Sequence, residues 1–217
     1  MAKRDRLLFF DTETSGLPRR MEAPTTQASN WPRVVQLAWV LTDPTGQPIS
    51  QGCYLIRPRG WRIQPGALRC HGITQQHATD NGFPLSQVLR RFAIDLLQTD
   101  TVIGHNVDFD HKIVGAEFHR LGQGNPLSSR QVQCTMKMGA TFLHKRIREE
   151  GEPYVVGASV NPRPALPSLD RLHRQLFGRS IDGAHDALVD ATACMNCFFE
   201  MQRLGDTAAR RFVSSVD

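Results

Sequence analysis

Residues 7–17 read LLFFDTETSGL. The apolar run Leu7 to Phe10 is consistent with a short buried strand, and Thr14, Ser15 and Gly16 follow it as turn residues. Asp11 and Glu13 stand two apart, which on a strand puts both side chains on one face. They fall at the strand's end, where the chain leaves the sheet, and open α/β sheets hold ligands at that edge. Carboxylates sharing a face repel each other and resist desolvation. Either water surrounds them in a turn, or a divalent cation joins them.

Two further clusters carry the same chemistry. Residues 102–110 read VIGHNVDFD and residues 184–191 read AHDALVDA. In the first, Thr101 to Ile103 is a short strand ending at Gly104, and Asp110 falls near the start of a helix marked by Ile113, Val114, Phe118 and Leu121. The helix dipole favours a carboxylate there with or without a metal, and Asp108 competes with Asp110 for a metal role. In the second, His185 and Asp190 are five apart, about 140° around a helix, so they would not share a face. Asp186 and Asp190 would. Either Asp186 is the partner, or His185 sits on the loop before the helix and reaches in. Carboxylates gathered from three places suit Mg²⁺, which takes oxygen ligands and substrate phosphates. The expected chemistry is metal-dependent and phosphoryl.

Around these clusters short apolar strands come first and amphipathic helices later, with one strand–helix alternation in the middle. Val34 to Leu41 and Cys53 to Ile56 read as strands, and Leu85 to Leu97 as a helix. Ser168 is placed to cap a helix carrying Leu169, Leu172 and Leu176, and Leu188, Ala191, Met195, Phe198 and Phe199 mark a last long helix. The pattern is that of an α/β fold with a mixed sheet. Two polar, turn-rich stretches interrupt it as surface inserts, one at about 18–32 and one at about 142–164. The second carries Lys145, Arg146 and Arg148, which either contact backbone phosphates beside the cleft or form a solvated loop balanced by Glu149, Glu150 and Glu152.

The chain has 217 residues, enough for one domain. Its net charge of +5 suits a polyanionic partner. The five scattered cysteines do not form a disulfide framework, and Cys194 and Cys197 read as core thiols rather than half of a zinc site. No apolar run approaches the roughly 20 residues of a membrane span, and the apolar run after MAKRDR is too short for a signal peptide. A cytoplasmic protein with no membrane partner is expected.

The three clusters, in this order, resemble the DEDDh (DnaQ-like) 3′→5′ exonuclease family. The match extends to His71-Gly72-Ile73-Thr74, to Cys134-Thr135-Met136, and to LPSLDRLHRQLFG at 166–178. The resemblance implies a ribonuclease H-like mixed sheet flanked by helices, with an exonuclease domain over 1–205 and a short tail over 206–217. It implies two divalent ions, Mg²⁺ or Mn²⁺, held by Asp11, Glu13, Asp110 and Asp190. His185, placed on the loop, becomes the general base, a role suited to an imidazole because its ordinary pKa of about 6.5 lies near working pH. Thr14, Gly16, Leu17, Asn106 and Phe109 become the contacts to the terminal nucleotide. The implied substrate is single-stranded or 3′-terminal DNA, with RNA the alternative, cut to 5′-mononucleotides. A DNA polymerase or repair complex is an implied partner.

Overall fold

The computed structural model describes residues 6–150 and 165–213. Strands β1 (Leu7–Thr14), β2 (Val34–Thr42) and β3 (Pro48–Leu55) form an antiparallel meander. Helices α1 (Pro65–His71), α2 (Gln75–Asn81) and α3 (Leu85–Leu96) follow, then β4 (Thr101–Gly104) and α4 (Val107–Arg120). Strand β5 (Gln131–Cys134) and helices α5 (Thr135–Glu150), α6 (Leu169–Phe177) and α7 (Ala187–Val213) complete the chain. The sheet order is β3-β2-β1-β4-β5, with β1, β4 and β5 parallel. This is the expected mixed sheet flanked by helices.

Alternation along β1 assigns its side chains to two layers. Leu8 and Phe10 join Leu37, Trp39, Leu41, Leu89 and Phe92 under α3 and α4. Phe9 joins Val40, Ile103, Cys194 and Phe198 under α7, its ring 5.5 Å from that of Phe198. The same alternation carries Asp11 and Glu13 onto the α7 side.

The strand is longer than its apolar run, and the excess makes the site. β1 stays paired with β2 from Leu7 to Thr14, but with β4 only through Phe9. Asp11 and Glu13 therefore stand on paired strand rather than past its end, in the notch where β4 has stopped. Backbone pairing holds two carboxylates in an extended conformation that their own propensities disfavour.

The stretch at 18–32 is packed rather than superficial. Ala23, Asn30 and Trp31 are buried, and a short 3₁₀ turn spans Ala28–Asn30. Lys112 donates to the Met21 carbonyl, and Arg120 donates to the carbonyls of Ala28 and Trp31. Two long cations on α4 thus satisfy backbone acceptors that carry no sequence signal. At the second expected insert, α5 continues to Glu150, and 151–164 lie outside the described residues. So do the side chains of Arg146 and Arg148. α7 runs on to Val213 through most of the stretch expected as a tail. Short β5, α1 and α2 had no clear periodicity to announce them. Among the described residues, no helix is long and apolar enough to cross a membrane.

Candidate active site

The second motif meets the first through Thr12. Asp110, buried on the first turn of α4, accepts from the Thr12 amide at 3.0 Å and from its hydroxyl at 2.6 Å. The carboxylate thus docks on the residue between Asp11 and Glu13. Gly104 lets this happen: a Cβ there would press on Val107 and on the Phe10 carbonyl. Asn106 starts α4 in a left-handed conformation, φ 61°, with its side chain making no capping bond. Asp108 points elsewhere and pairs with Lys137 at 2.8 Å on the surface. The choice between the two aspartates thus falls to Asp110 as the one facing the first motif.

The third motif resolves the second open choice. His185 lies on the turn before α7, at φ 69°, not on the helix. From there its amide donates to Asp190 Oδ2 at 3.1 Å. Asp186 is engaged otherwise: Oδ1 accepts from the amides of Leu188 and Val189, and Oδ2 accepts from Gln36 Nε2. It caps the helix. One ligand atom each from Glu13, exposed His185 and Asp190 lie within 4.8 Å of one another.

Among the described residues, no lysine or arginine neutralises these carboxylates; only His185 sets an opposing charge against Asp190. Burial, then the neighbouring Asp110, Asp190, Glu13 and Asp186, pushes the Asp11 carboxyl well above the usual range. Burial and then Asp190 and Asp110 push Glu13 to about 8. Burial lifts Asp110 to about 7, against the two hydrogen bonds from Thr12. Burial also raises Asp190, against the bond from the His185 amide. A hard divalent cation would relieve all four, so the donor set fits one.

Beside the carboxylates lies a cleft of about 520 Å³, lined by Glu13, Thr14, Gly16, Leu17, Phe109 and residues of α1. Four of the five expected substrate contacts share it, and Asn106 does not line it. Leu17 is 79% exposed at its edge. Gly16 lies against the end of the flexible Gln64 side chain, which a Cβ there, at 2.6 Å, would push aside. His71 ties α1 to the end of β1. Its Nδ1 accepts from the Ile73 amide, so in the neutral ring Nε2 carries the proton and donates to the Thr14 carbonyl at 3.3 Å. Burial lowers the His71 pKa, which keeps that tautomer.

Two participants escape a reading of the three motifs. Gln36 bonds to the third motif from within an apolar strand, where a lone polar residue was the available signal. Cys70 Sγ lies 3.6 Å from His185 Nδ1, and no pattern marked it.

A family model described as exonuclease, RNase_T, matches residues 8–198. The chain belongs to this exonuclease family. The matched span holds Asp11, Glu13, Asp110, His185 and Asp190 together. No curated protein matches the chain. Among solved structures, one of exonuclease I is 22% identical, with TM-score 0.71 over 92% of this chain and 41% of the other. Escherichia coli exonuclease I in complex with a dT13 oligonucleotide is also 22% identical, with TM-score 0.70 over 94% and 43%. The zinc-bound form of the E. coli exonuclease I–ssDNA complex gives 22% and 0.68 over 92% and 40%. At this identity the likeness shows the fold, the ribonuclease H-like one expected. The chain spans about two fifths of the length of these structures.

Proposed function

We propose that this protein is a 3′→5′ exonuclease acting on single-stranded DNA and releasing 5′-mononucleotides. The observation that carries this reading is the convergence of four carboxylates and one histidine, from three distant segments, on a notch that opens beside a cleft. Family membership supplies the reaction class, and the geometry supplies candidates for its parts. Asp11, Glu13, Asp110 and Asp190 would hold two divalent ions, Mg²⁺ or Mn²⁺. Bound there, the ions would stabilise charge on the attacking and leaving oxygens of an in-line displacement.

The chain's own groups would do the rest. His185 is exposed beside Glu13 and Asp190, and as general base it would take the proton of the attacking water. Thr14, Gly16, Leu17 and Phe109 would seat the terminal nucleotide, with the exposed Leu17 side chain as an apolar surface for a base. Asn106, at the start of α4, would act further along the strand. Exonuclease I, which shares the fold, has been crystallised with DNA oligonucleotides, which favours DNA over RNA for this chain.

The test is hydrolysis of matched 5′-labelled DNA and RNA single strands with Mg²⁺, with Mn²⁺ and with chelator. The expected result is a ladder shortening from the 3′ end on DNA, absent in chelator and on a 3′-blocked strand. Cutting of a circular single strand, or full turnover in chelator, would refute the reading. His185→Ala should lose about 10²–10⁴-fold in turnover while still binding cation and strand. An active His185→Ala would remove the histidine from the mechanism.

A further inference from the structure

We propose that Gln36 is a positioning residue that, together with Asp186, latches His185 and Asp190 into place. This rests on the exonuclease reading above and deepens it. Gln36 is buried near the start of β2, within its apolar run and directly opposite Glu13. Its amide is used in both senses. Oε1 accepts from the Ala187 amide at 3.0 Å, and Nε2 donates to Asp186 Oδ2 at 3.0 Å. The sheet is thereby bonded to the first turn of α7 at two adjacent residues.

The residue before them is the one that needs holding. His185 sits at φ 69°, in the left-handed region that residues with a Cβ adopt only when their surroundings impose it. That conformation aims the His185 amide at Asp190 Oδ2. The latch grips Asp186 and Ala187, so it acts on His185 through the backbone without touching water, cation or strand. Releasing it would let φ at 185 relax, moving the proposed base and stripping Asp190 of its donor in one step. Both oxygens of Asp186 are committed to the latch and the helix cap, which leaves Asp186 a positioning role too.

Gln36→Leu keeps the size but leaves the Ala187 amide and Asp186 Oδ2 unpaired. Contacts that orient a site's primary groups typically change activity or metal affinity by about 10–100-fold. The expected result is a kcat lower by about that factor with KM for the strand unchanged, in protein shown folded at the assay temperature. Gln36→Glu sets two carboxylates together, and Asp186→Asn sets two amide nitrogens together, so each alone should also be slow. The swapped pair, Gln36→Glu with Asp186→Asn, faces a donor with an acceptor again at unchanged net charge. It should recover kcat to within a few-fold. Wild-type kcat in Gln36→Leu, or no recovery in the swap, would overturn the latch. The ¹⁵N–¹H resonance of His185 reads the same device without turnover. It should shift in Gln36→Leu and return in the swap, and a resonance that stays put overturns the latch. Wild-type protein inert on every strand but showing this shift and return would instead sink the exonuclease reading and leave the latch standing.

Discussion

Two groups of acids withdrawn from water, Glu117 alone in one and Asp11, Glu13, Asp110 and Asp190 in the other, are treated in opposite ways, although Asp110 and Glu117 share one helix. Glu117, on α4, is fully buried and surrounded by donors. Arg33 Nε lies 2.9 Å from Oε1, Arg120 Nη1 lies 3.1 Å from it, and the Val34 amide donates to it at 3.0 Å. Asp11, Glu13, Asp110 and Asp190 have no such cations among the described residues, and all four carboxyls are driven upward. One acid is a clasp: it ties α4 to the start of β2 and, through Arg120, to the packed stretch 18–32. The four are a set of oxygen donors that suits a cation. A carboxylate's use is therefore told by what the fold sets against it, and burial alone does not distinguish them.

Removing one acid from each group should separate them most strongly. Asp11→Ala, Glu13→Ala, Asp110→Ala and Asp190→Ala should each lose about 10²–10³-fold or more in turnover, the scale of deleting a preorganised charge partner. Asp11→Ala should not lower the melting temperature of chelator-treated protein, because it relieves repulsion. Parallel assays and melts check this, and an active Asp11→Ala would sink the assignment of the first motif. Glu117→Ala should do the reverse. Leaving Arg33 and Arg120 facing each other costs about 3–5 kcal/mol of stability, while kcat measured on the folded fraction is retained. If Glu117→Ala is stable and inactive, the two groups are not as different as their surroundings imply.

Acidity separates the groups more finely. Glu13 ionises near 4.5 in an unfolded chain and at about 8 in the metal-free fold. The unfolded chain thus sheds its proton first as pH rises, and stability falls with pH between those values. In chelator, Glu13→Gln should match wild type near the lower value and melt higher than wild type at the upper one. Saturating Mg²⁺ should abolish the gap by favouring the ionised site in wild type. A gap of constant size across that range would mean the Glu13 effect is not electrostatic. The smallest effect belongs to Asp108, whose exposed pair with Lys137 is worth about 0.2–1 kcal/mol at most. Asp108→Ala should leave turnover and melting temperature nearly unchanged, and an inactive variant would hand Asp110's place to Asp108.

Much of this was legible along the chain, because motifs and periodicities are local. Leu7 to Phe10, Val34 to Leu41 and the Leu188–Phe199 face announced β1, β2 and α7 by the spacing of their apolar residues. Asp11, Glu13, Asp110, His185 and Asp190 stood out as chemistry embedded in those patterns. Weak elements did not. β5 has four residues at a sheet edge, α1 buries no residue, and Glu117 looks like any helical glutamate until Arg33 reaches it.

The class of fold, the family resemblance and the five residues to watch can be read along the chain. How they meet is set by the packing of the folded chain. It stops β4 short of β1, so that Asp110 can enter at Thr12, and it turns Asp108 away to Lys137. It puts His185 on a left-handed turn, where a five-residue spacing that fails on a helix succeeds. These outcomes depend on strand order, register and packing between segments some hundred residues apart. No local pattern encodes them, because the deciding partners lie elsewhere in the chain: Thr12 for Asp110, and Gln36 for Asp186 and Ala187.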